Sequence, residues 1–219
     1  MNNNPPKVKR PDSKLMEVRN IYCVGRNYSG HARELGNPLL KEPMFFQKGL
    51  TSLTTQESVS LPRNNNIQHE LELVVLIGKN GENIKQLNAE KYIAGIGLGL
   101  DLTDRNLQDK LKENKLPWFL SKSFKNSAIV SSFSEPNFEI WSQKFWLNIN
   151  GNRVQEGYSS NMQFLIPFLI EYLSNRLPLL KGDIIFTGTP EGVGVVRNGD
   201  NAELGLGNKV LHRVEFISG

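Results

Sequence analysis

The sequence contains little that could be cross-linked or embedded in a membrane. It has a single cysteine, Cys23, which excludes an intramolecular disulfide and favours a reducing compartment. Its longest apolar segments, near residues 92–100 and 164–170, are too short to span a bilayer. The opening residues MNNNPPKVKRPDSK lack the apolar core of a secretory signal. These absences predict a cytoplasmic protein without a membrane segment.

Several common signatures of catalysis and nucleotide binding are also missing. Neither G-x-x-x-x-G-K-[ST] nor G-x-S-x-G occurs, which argues against P-loop nucleotide hydrolysis and the usual serine esterase chemistry. The alternating glycines Gly95, Gly97 and Gly99 do not complete G-x-G-x-x-G, because Leu100 stands where the last glycine is needed. We interpret these glycines as a tight packing contact within a strand.

Bulk composition indicates an ordinary globular chain. Hydrophobic residues make up 38% and charged residues 22% of the 219 residues, enough apolar material for a core. The net charge is +4, but basic residues are concentrated before residue 20 and no nucleic-acid-binding motif accompanies them. We therefore expect residues 1–18 to form a loose arm or a lead-in strand and residues 19–219 to form one domain. Nucleic acid is not an expected partner.

The pattern of apolar residues predicts many short strands and a few helices. Asn150-Gly151 is a strong signal for a hairpin turn, and no repeat or linker divides the chain. We therefore predict an α+β, β-rich fold in a single domain. The predicted strands are 20–24, 44–46, 58–61, 69–77, 92–100, 145–149, 184–186 and 209–217, and the predicted helices are 29–35, 104–113 and 161–173.

Glu70 and Glu72 form the most informative pair in the sequence. In the strand-like segment HELELVVLI, a period of two places both carboxylates on the same face. Like charges held this close favour a cation between them, and Asp101, at the end of another apolar segment, supplies a third carboxylate. Three carboxylates suit a hard ion such as Mg²⁺, Mn²⁺ or Ca²⁺. The alternative is a polar strand face exposed to water, the commoner explanation of an isolated E-x-E.

His31 and Glu34 are spaced i, i+3 in a short helical segment, so they lie on one face within hydrogen-bonding reach. A carboxylate that orients an imidazole is the usual arrangement of a general base, although on a surface helix such a pair can simply be solvated. Glycines on both sides of the segment suit the hinges of a lid.

Other polar residues follow Asp101 along the chain. Arg105 and Gln108 share one face of the predicted helix and could grip a carboxylate. Lys122 is a lone lysine in the apolar segment WFLSKSF, so it either reaches solvent or points into a site. The small-residue loop containing Thr189 could offer hydroxyl and N–H groups to an anion.

In combination these segments resemble the fumarylacetoacetate hydrolase family in its short, single-domain form. The resemblance covers residues 21–216 and lies nearest to the acylpyruvate hydrolases, oxaloacetate decarboxylases and fumarylpyruvate hydrolases. It rests on five motifs in the same order: GRNYSGHARELG, HELELVVLIGK, GLDLTDRNLQDKLKENKLPWFLSKSF, NGNRVQEG and GDIIFTGTPEGVG. It implies a β-sandwich-like roll with a few flanking helices, usually dimeric.

The resemblance also implies roles for particular residues. It assigns an ion, Mg²⁺ or Mn²⁺, to Glu70, Glu72 and Asp101, and catalytic roles to His31, Glu34 and Lys122, with His31 and Glu34 carried by a lid. Its substrate-binding residues correspond to Arg105, Gln108 and Thr189, and we add Arg26 to them. One departure concerns the family pattern F-x-K-P, which here reads Phe46-Gln47-Lys48-Gly49. Glycine in place of proline should loosen the pocket wall and alter substrate choice.

The expected function is metal-dependent hydrolysis of a C–C bond in a small 2,4-dioxo acid of the acylpyruvate or fumarylpyruvate type, with oxaloacetate decarboxylation in the same site. An alternative is an isomerase or tautomerase of a keto–enol acid such as oxaloacetate or 2-hydroxyhepta-2,4-diene-1,7-dioate. A non-enzymatic alternative is a Ca²⁺-stabilised β-module that binds a partner. We expect a cytoplasmic homodimer with a small-molecule substrate.

Overall fold

The computed structural model describes residues 5–34, 36, 38–63, 66–136 and 143–219. Its strands are β1 (Lys7–Lys9), β2 (Leu15–Glu17), β3 (Ile21–Gly25), β4 (Met44–Lys48), β5 (Leu53–Thr54), β6 (Ser58–Leu61), β7 (Ile67–His69), β8 (Leu71–Ile77), β9 (Ile93–Asp101), β10 (Thr103–Asp104), β11 (Ala128–Val130), β12 (Lys144–Ile149), β13 (Asn152–Tyr158), β14 (Ile184–Phe186), β15 (Gly194–Val195), β16 (Asn201–Leu206) and β17 (Lys209–Ser218). Its α-helices are α1 (Ser29–Glu34), α2 (Gln86–Ala89), α3 (Arg105–Glu113), α4 (Phe119–Lys122) and α5 (Ile166–Ser174), with 3-10 turns at Leu50–Ser52, Glu90–Tyr92 and Ser159–Asn161.

Two large sheets form the body of the molecule. One has seven strands in the order β4-β3-β14-β8-β9-β11-β5, and the other has five in the order β13-β12-β16-β17-β6. Leu73 and Leu98 of the first sheet belong to the same buried cluster as Phe145 and Leu204 of the second. The sheets therefore enclose a common core, which confirms the predicted β-rich α+β roll.

Strand β8 lies at the centre of the larger sheet, and all seven of its residues are buried. Leu73 and Val75 face the core shared by the two sheets, whereas Val74 and Leu76 join a second apolar cluster. Because both faces are covered, the strand has no solvent-facing side, and Glu72 is only 1% exposed. The alternative of a polar strand face exposed to water is wrong.

The second cluster is covered by the N-terminal segment. Strands β1 and β2 pair as an antiparallel hairpin, and Val8 and Met16 are buried against the larger sheet. Cys23 on β3 is fully buried in the same cluster. Residues 5–18 thus include strands rather than a wholly loose arm. The division into an arm of residues 1–18 and a domain of residues 19–219 stays a prediction.

The predicted helix boundaries were less accurate than the strands. Helix α3 begins at Arg105, one residue after the predicted start, because the Asp104 side chain caps it by accepting from the N–H of Leu107 at 3.2 Å. Helix α5 begins at Ile166 rather than residue 161, with Pro167 in the first turn. Proline suits this position because it has no N–H to donate to an earlier turn. Leu35, the end of the first predicted helix, lies outside the described residues.

The alternating glycines of β9 form the close packing contact predicted for them. A Cβ on Gly99 would lie 2.6 Å from a ring carbon of Phe186 and 2.7 Å from the carbonyl oxygen of Ile129. Any side chain here would push β9 away from β11 and β14, next to Asp101. In the part of the chain that the structure describes, no helix is long and apolar enough to cross a membrane.

Candidate metal centre and active site

Three buried carboxylates meet where β8 and β9 run side by side. Glu70 immediately precedes β8, Glu72 is on β8 and Asp101 ends β9. The antiparallel register, together with a 2.9 Å hydrogen bond from the Asp101 N–H to the Glu70 carbonyl, aligns these positions. One oxygen from each carboxylate lies within 4.8 Å of the others. Backbone pairing therefore assembles the predicted acidic triad.

Two of the three carboxylates are compensated by buried cations. The Lys122 ammonium lies 2.8 Å from Glu70 Oε2 and 2.8 Å from Asp101 Oδ2, and Arg105 Nη2 lies 2.7 Å from Glu70 Oε1. Burial alone would raise the pKa of Glu70, but Lys122 and Arg105 outweigh burial and hold that pKa well below its usual range. Conversely, burial opposes the charge of Lys122, yet Asp101 and Glu70 raise its pKa above the usual value.

Glu72 has no such cation. Within the described residues, the one hydrogen bond recorded for its side chain is donated by the Gly188 N–H, at 2.6 Å. Burial, followed by the charges of Asp101 and Glu70, raises the pKa of Glu72 well above its usual value. A buried carboxylate without a counter-charge is costly unless it is protonated or binds a cation. The triad therefore fits a divalent ion with oxygen ligands, without distinguishing Mg²⁺ from Mn²⁺.

Sequence reasoning missed the part that Lys48 plays in this network. Its ammonium is buried 2.7 Å from Asp101 Oδ1 and also donates to the carbonyl oxygens of Lys122, Leu102 and Ser127. Gly49 follows with a φ of −66°, a value that proline also adopts, and its N–H donates to Ser123 Oγ at 2.7 Å. The backbone here is therefore tied down by a hydrogen bond that proline could not make. The sequence did offer one indication of this role, because Lys48 ends the largely apolar strand MFFQK.

His31 and Glu34 are brought together on α1 as the spacing predicted. His31 Nδ1 lies 3.2 Å from Glu34 Oε2, and the histidine is 4% exposed. Because an ionised carboxylate only accepts, Nδ1 is the donor of this contact, and Nε2 is left for a ligand. Glu34 also accepts from the Gly192 N–H, at 3.1 Å to Oε1, which ties α1 to the loop after β14.

One pocket collects most of the predicted site residues. Of the predicted site residues, Glu34 and Asp101 do not line it. The predicted residues that line it are Arg26, His31, Glu70, Glu72, Arg105, Gln108, Lys122 and Thr189. Their catalytic, substrate-binding and metal-binding roles stay predictions. Sequence reasoning missed the other six lining residues, Val24, Gly25, Met44, Phe46, Lys112 and Trp118.

The pocket wall presents donors to a ligand. Arg105 donates from Nε to Gln68 Oε1 at 2.7 Å and from Nη1 to Gln108 Oε1 at 2.6 Å. The Gln108 oxygen is thereby occupied, so its amide group has N–H donors to offer. Lys112 is half-buried at the wall; burial, followed by the charges of Arg105 and Arg26, lowers its pKa. This wall suits a ligand whose polar atoms are acceptors.

Arg26 adopts an uncommon backbone conformation for a non-glycine residue, with a φ of 57°. It lines the pocket, and no hydrogen bond or ion pair of its guanidinium occurs among the described residues. Left-handed backbone at a pocket wall is often retained because it aims a functional side chain. Its location agrees with the substrate-binding role predicted for it.

Comparisons with known proteins extend over nearly the whole chain. The family model described as fumarylacetoacetate (FAA) hydrolase C-terminal matches residues 20–215. The chain is 43% identical over 209 residues to the mitochondrial oxaloacetate tautomerase FAHD1 of Rattus norvegicus, covering 93% of this chain and 95% of that protein. It is 38% identical over 193 residues to the mitochondrial oxaloacetate decarboxylase of Dictyostelium discoideum, covering 86% and 88%. A solved structure of fumarylpyruvate hydrolase from Pseudomonas aeruginosa in complex with Mn²⁺ and pyruvate has a TM-score of 0.91 at 30% identity and covers 100% of this chain and 98% of that chain.

Proposed function

The chain belongs to the fumarylacetoacetate hydrolase family, and from this premise we propose that it is a metal-dependent enzyme that interconverts the keto and enol forms of a small 2-oxo diacid of the oxaloacetate type. The observation that carries the proposal is the donor-lined wall, with the free nitrogen of His31, above three buried carboxylates. The names of the relatives from rat and Dictyostelium support oxaloacetate as the substrate class.

The acidic triad and its cations form the base of the site. A divalent ion, Mg²⁺ or Mn²⁺, held by Glu70, Glu72 and Asp101 would supply Lewis-acid charge to the oxygens of a 2-oxo acid. Lys122, which contacts both Glu70 and Asp101, adds a fixed positive charge at the pocket. This charge stabilises the negative charge that develops on the substrate when it loses a proton.

His31 is the residue we propose to move the proton. Its Nε2 takes a proton from C3 of the keto form, and the electron pair of the broken C–H bond becomes the C2–C3 double bond of the enolate. Glu34 holds the imidazole through Nδ1, at 3.2 Å, and stabilises the imidazolium that forms. Protonation of the enolate at oxygen gives the enol, and protonation at C3 restores the keto acid.

Two sets of donors bind the two ends of the substrate. Arg105, Gln108 and Thr189 hold the carboxylate next to the carbonyl, which all of them can reach as donors from the pocket wall. Arg26 and Lys112 supply positive charge for the second carboxylate. With a single carboxylate in the substrate, Lys112 would keep only its 3.8 Å contact with Asp109 and Arg26 would have no counter-charge among the described residues, so a diacid is favoured over a simple acylpyruvate.

Hydrolysis of a C–C bond in an acylpyruvate or fumarylpyruvate is the second candidate. The His31–Glu34 pair also suits proton removal from water, and the solved relative bound to Mn²⁺ and pyruvate is a fumarylpyruvate hydrolase. Water would add to the distal carbonyl, and pyruvate would leave as its enolate with the electrons of the broken bond. Decarboxylation of oxaloacetate reaches the same enolate by loss of CO₂ and needs no water.

An assay of the three reactions tests the proposal. The assay follows three reactions: enol–keto conversion of oxaloacetate, pyruvate release from oxaloacetate, and pyruvate release from acetylpyruvate. Each is measured after EDTA treatment and again after Mg²⁺ or Mn²⁺ is restored. We expect metal-restored enol–keto conversion to be the fastest reaction. Glu72→Ala protein at the same metal concentration is the matched control, because free ions also act on oxaloacetate. Failure to turn over any of these acids would instead favour the Ca²⁺-stabilised binding module.

Two lysine substitutions on helix α3 test whether the site prefers a substrate with two carboxylates. Lys112→Met should raise KM for oxaloacetate about 10-fold, since a hydrogen bond to a charged group contributes about 1.5–3 kcal/mol, and should change KM for acetylpyruvate little. Lys110→Met, an exposed lysine on the same helix, should change neither. Equal effects of Lys112→Met on both acids would contradict the preference. A cytoplasmic location and a homodimer remain part of the proposal.

A further inference from the structure

Gln155 is a buried amide that connects the five-stranded sheet to the site. It is on β13, in the sheet opposite the acidic triad, and is 2% exposed. Its side chain crosses to the loop that follows β14 and to the start of β8. Nothing in the proposed chemistry yet uses it. Its hydrogen bonds nevertheless determine how Thr189 meets a ligand.

The orientation of this amide is fixed by its partners. Gln155 Oε1 lies 3.0 Å from the Leu71 N–H, which can only donate, so this atom is the oxygen. The same oxygen lies 2.8 Å from His69 Nδ1. An amide oxygen can only accept, so Nδ1 of His69 carries the proton of this bond.

Both amide hydrogens of Gln155 are also used. Nε2 donates to the Pro190 carbonyl at 3.0 Å and to Thr189 Oγ1 at 2.9 Å. Pro190 offers only an acceptor, so the amide cannot turn over without losing that bond and placing its oxygen against the carbonyl. Thr189 Oγ1 is thus an acceptor toward Gln155, and its own proton remains available.

We propose that Gln155 is a positioning residue that keeps the Thr189 hydroxyl as a donor to the substrate. Thr189 is 2% exposed and lines the pocket, so its remaining proton is available to a bound oxygen there. The relay His69–Gln155–Thr189 is one-directional, because every member has a fixed donor and acceptor. It therefore leaves the Thr189 proton free to donate to a carboxylate or carbonyl oxygen of the ligand. The inference rests on the proposed function, in which Thr189 contacts the carboxylate.

The same loop carries two other connections of the site. Next to Thr189, the Gly188 N–H donates to Glu72, and the Gly192 N–H donates to Glu34. By fixing Thr189 and Pro190, Gln155 holds the segment between these two contacts. Loss of the amide should therefore affect ligand binding before it affects the acid–base chemistry of His31.

Substitutions at the two ends of the relay test the inference. Gln155→Glu can still accept from Leu71 but has no N–H for Thr189, so the Thr189 hydroxyl turns to donate to the new carboxylate. We expect KM, and the dissociation constant of oxalate measured by calorimetry with Mn²⁺, to rise about 10-fold, while kcat changes less than about threefold. Thr189→Val should give a similar rise. The double variant should be no worse than Thr189→Val, because both changes remove the same donor.

Matched variants separate positioning from a general loss of stability. Ser174→Ala removes another buried polar group, which accepts from the Ile84 N–H far from the pocket, and should lower Tm without changing KM. If Gln155→Glu does not fold, Gln155→Met, which is apolar and of similar length, gives the same double-variant comparison. Additive losses in the Gln155 and Thr189 variants would overturn the inference.

The direction of the hydrogen bonds in the relay can also be measured without an activity assay. Nitrogen-15 shifts of the metal-free protein should place the His69 proton on Nδ1, and the Nε2–H tautomer would overturn the proposed direction of the bonds. If the wild type neither binds oxalate nor turns over any 2-oxo acid, the proposed function fails. If it does both and the two substitutions are additive, the positioning role of Gln155 alone fails.

Discussion

Ion pairs occur in two contrasting regions of this molecule. At the base of the pocket, Lys48, Lys122 and Arg105 contact Glu70 and Asp101 at 2.7–2.8 Å, with every side chain at most 10% exposed. On the five-stranded sheet the pairs are Lys144–Glu156 at 3.2 Å, Arg153–Glu156 at 3.4 Å and Arg213–Glu203 at 3.0 Å, with side chains 35–66% exposed. The buried pairs are therefore both shorter and far less exposed to solvent than the pairs on the sheet.

The contrast shows where this fold tolerates costly charge. Each buried ion loses its hydration, and the pair recovers that loss only with good geometry and further hydrogen bonds. The exposed pairs keep their water and contribute little. Glu72 marks the extreme case, since it is buried beside two other carboxylates without a cation contact of its own among the described residues. The buried group is therefore better explained by ligand binding than by stability.

Removing the uncompensated carboxylate should have the largest effect. Glu72→Ala should reduce turnover to background, because the ion loses a ligand, while the free energy of unfolding of the metal-free protein falls little or rises. Activity assays and urea unfolding measure the two quantities. Glu203→Ala on the exposed sheet should leave activity intact. Near-normal turnover by Glu72→Ala would show that the triad does not hold the catalytic ion.

His31→Ala tests which groups of the pocket move protons. Loss of a general base costs on the order of 10²–10⁴-fold in rate, and both tautomerisation and acylpyruvate hydrolysis should fall within this range. Oxaloacetate decarboxylation needs no proton removal to break its bond and should fall less. The three rates can be compared at saturating metal. Equal losses in all three would mean that His31 mainly positions the substrate or the lid.

Lys48→Met removes a cation from the buried ion pairs. Of the ion-pair substitutions, we expect it to lower the free energy of unfolding most. Asp101 would keep only Lys122 as a counter-charge, and breaking a buried pair costs about 3–5 kcal/mol. The free energy of unfolding in urea measures the loss. A cost below about 1 kcal/mol would mean that the buried and exposed pairs are energetically alike.

The α1 segment should respond to ligand more than either group of ion pairs. Asn27 and Tyr28, just before it, are buried and held by several hydrogen bonds, but α1 itself is held to the loop after β14 by the Gly192 N–H, so local opening should be easy from residue 29 onward. Oxalate with metal should slow amide hydrogen exchange across residues 29–40 by about 10-fold or more. Exchange that is equally slow without ligand would show that His31 is preorganised. Leu35 and Asn37 in this range lie outside the described residues.

The matched substitution on the exposed sheet should have the smallest effect. Lys144→Met removes a surface pair with Glu156 and should change the free energy of unfolding by less than about 1 kcal/mol, with no change in activity. Raising the salt concentration should reduce even this difference, because salt screens exposed charges. A larger loss would show that the exposed pairs are more than solvated charges.

Sequence patterns predicted the strands and the acidic triad well because both depend on local periodicity. The apolar alternation defined β6, β12 and β17, and the E-x-E spacing of Glu70 and Glu72 pointed to one site. The two-sided burial of β8 could not be seen, because it depends on which strands and hairpins cover each face.

The contacts that sequence reasoning missed join residues far apart in the chain. Lys48 meets Asp101 and Gln155 meets Thr189 only because the sheets bring them together. Helix α3 shows another limit: Leu107 and Leu111 are spaced as on the apolar face of a helix, yet its buried residues are Arg105 and Gln108. Apolar residues usually form the buried face of a helix, but a polar pocket buries polar residues instead. The spacing of apolar residues in a single sequence does not show where this happens.

The reaction rate of the Cys23 thiol measures how often the larger sheet opens around it. Because the thiol is fully buried on β3 between β4 and β14, and burial raises its pKa, an aromatic disulfide reagent can react only after these strands separate. Each reacting molecule releases one chromophore, so at high reagent concentration the colour reports the opening rate directly. The sequence has no other cysteine, so the signal comes from this site alone and no label is needed. Each metal ion and each 2-oxo acid that binds the folded protein should slow the reaction, and the size of that effect ranks them as ligands.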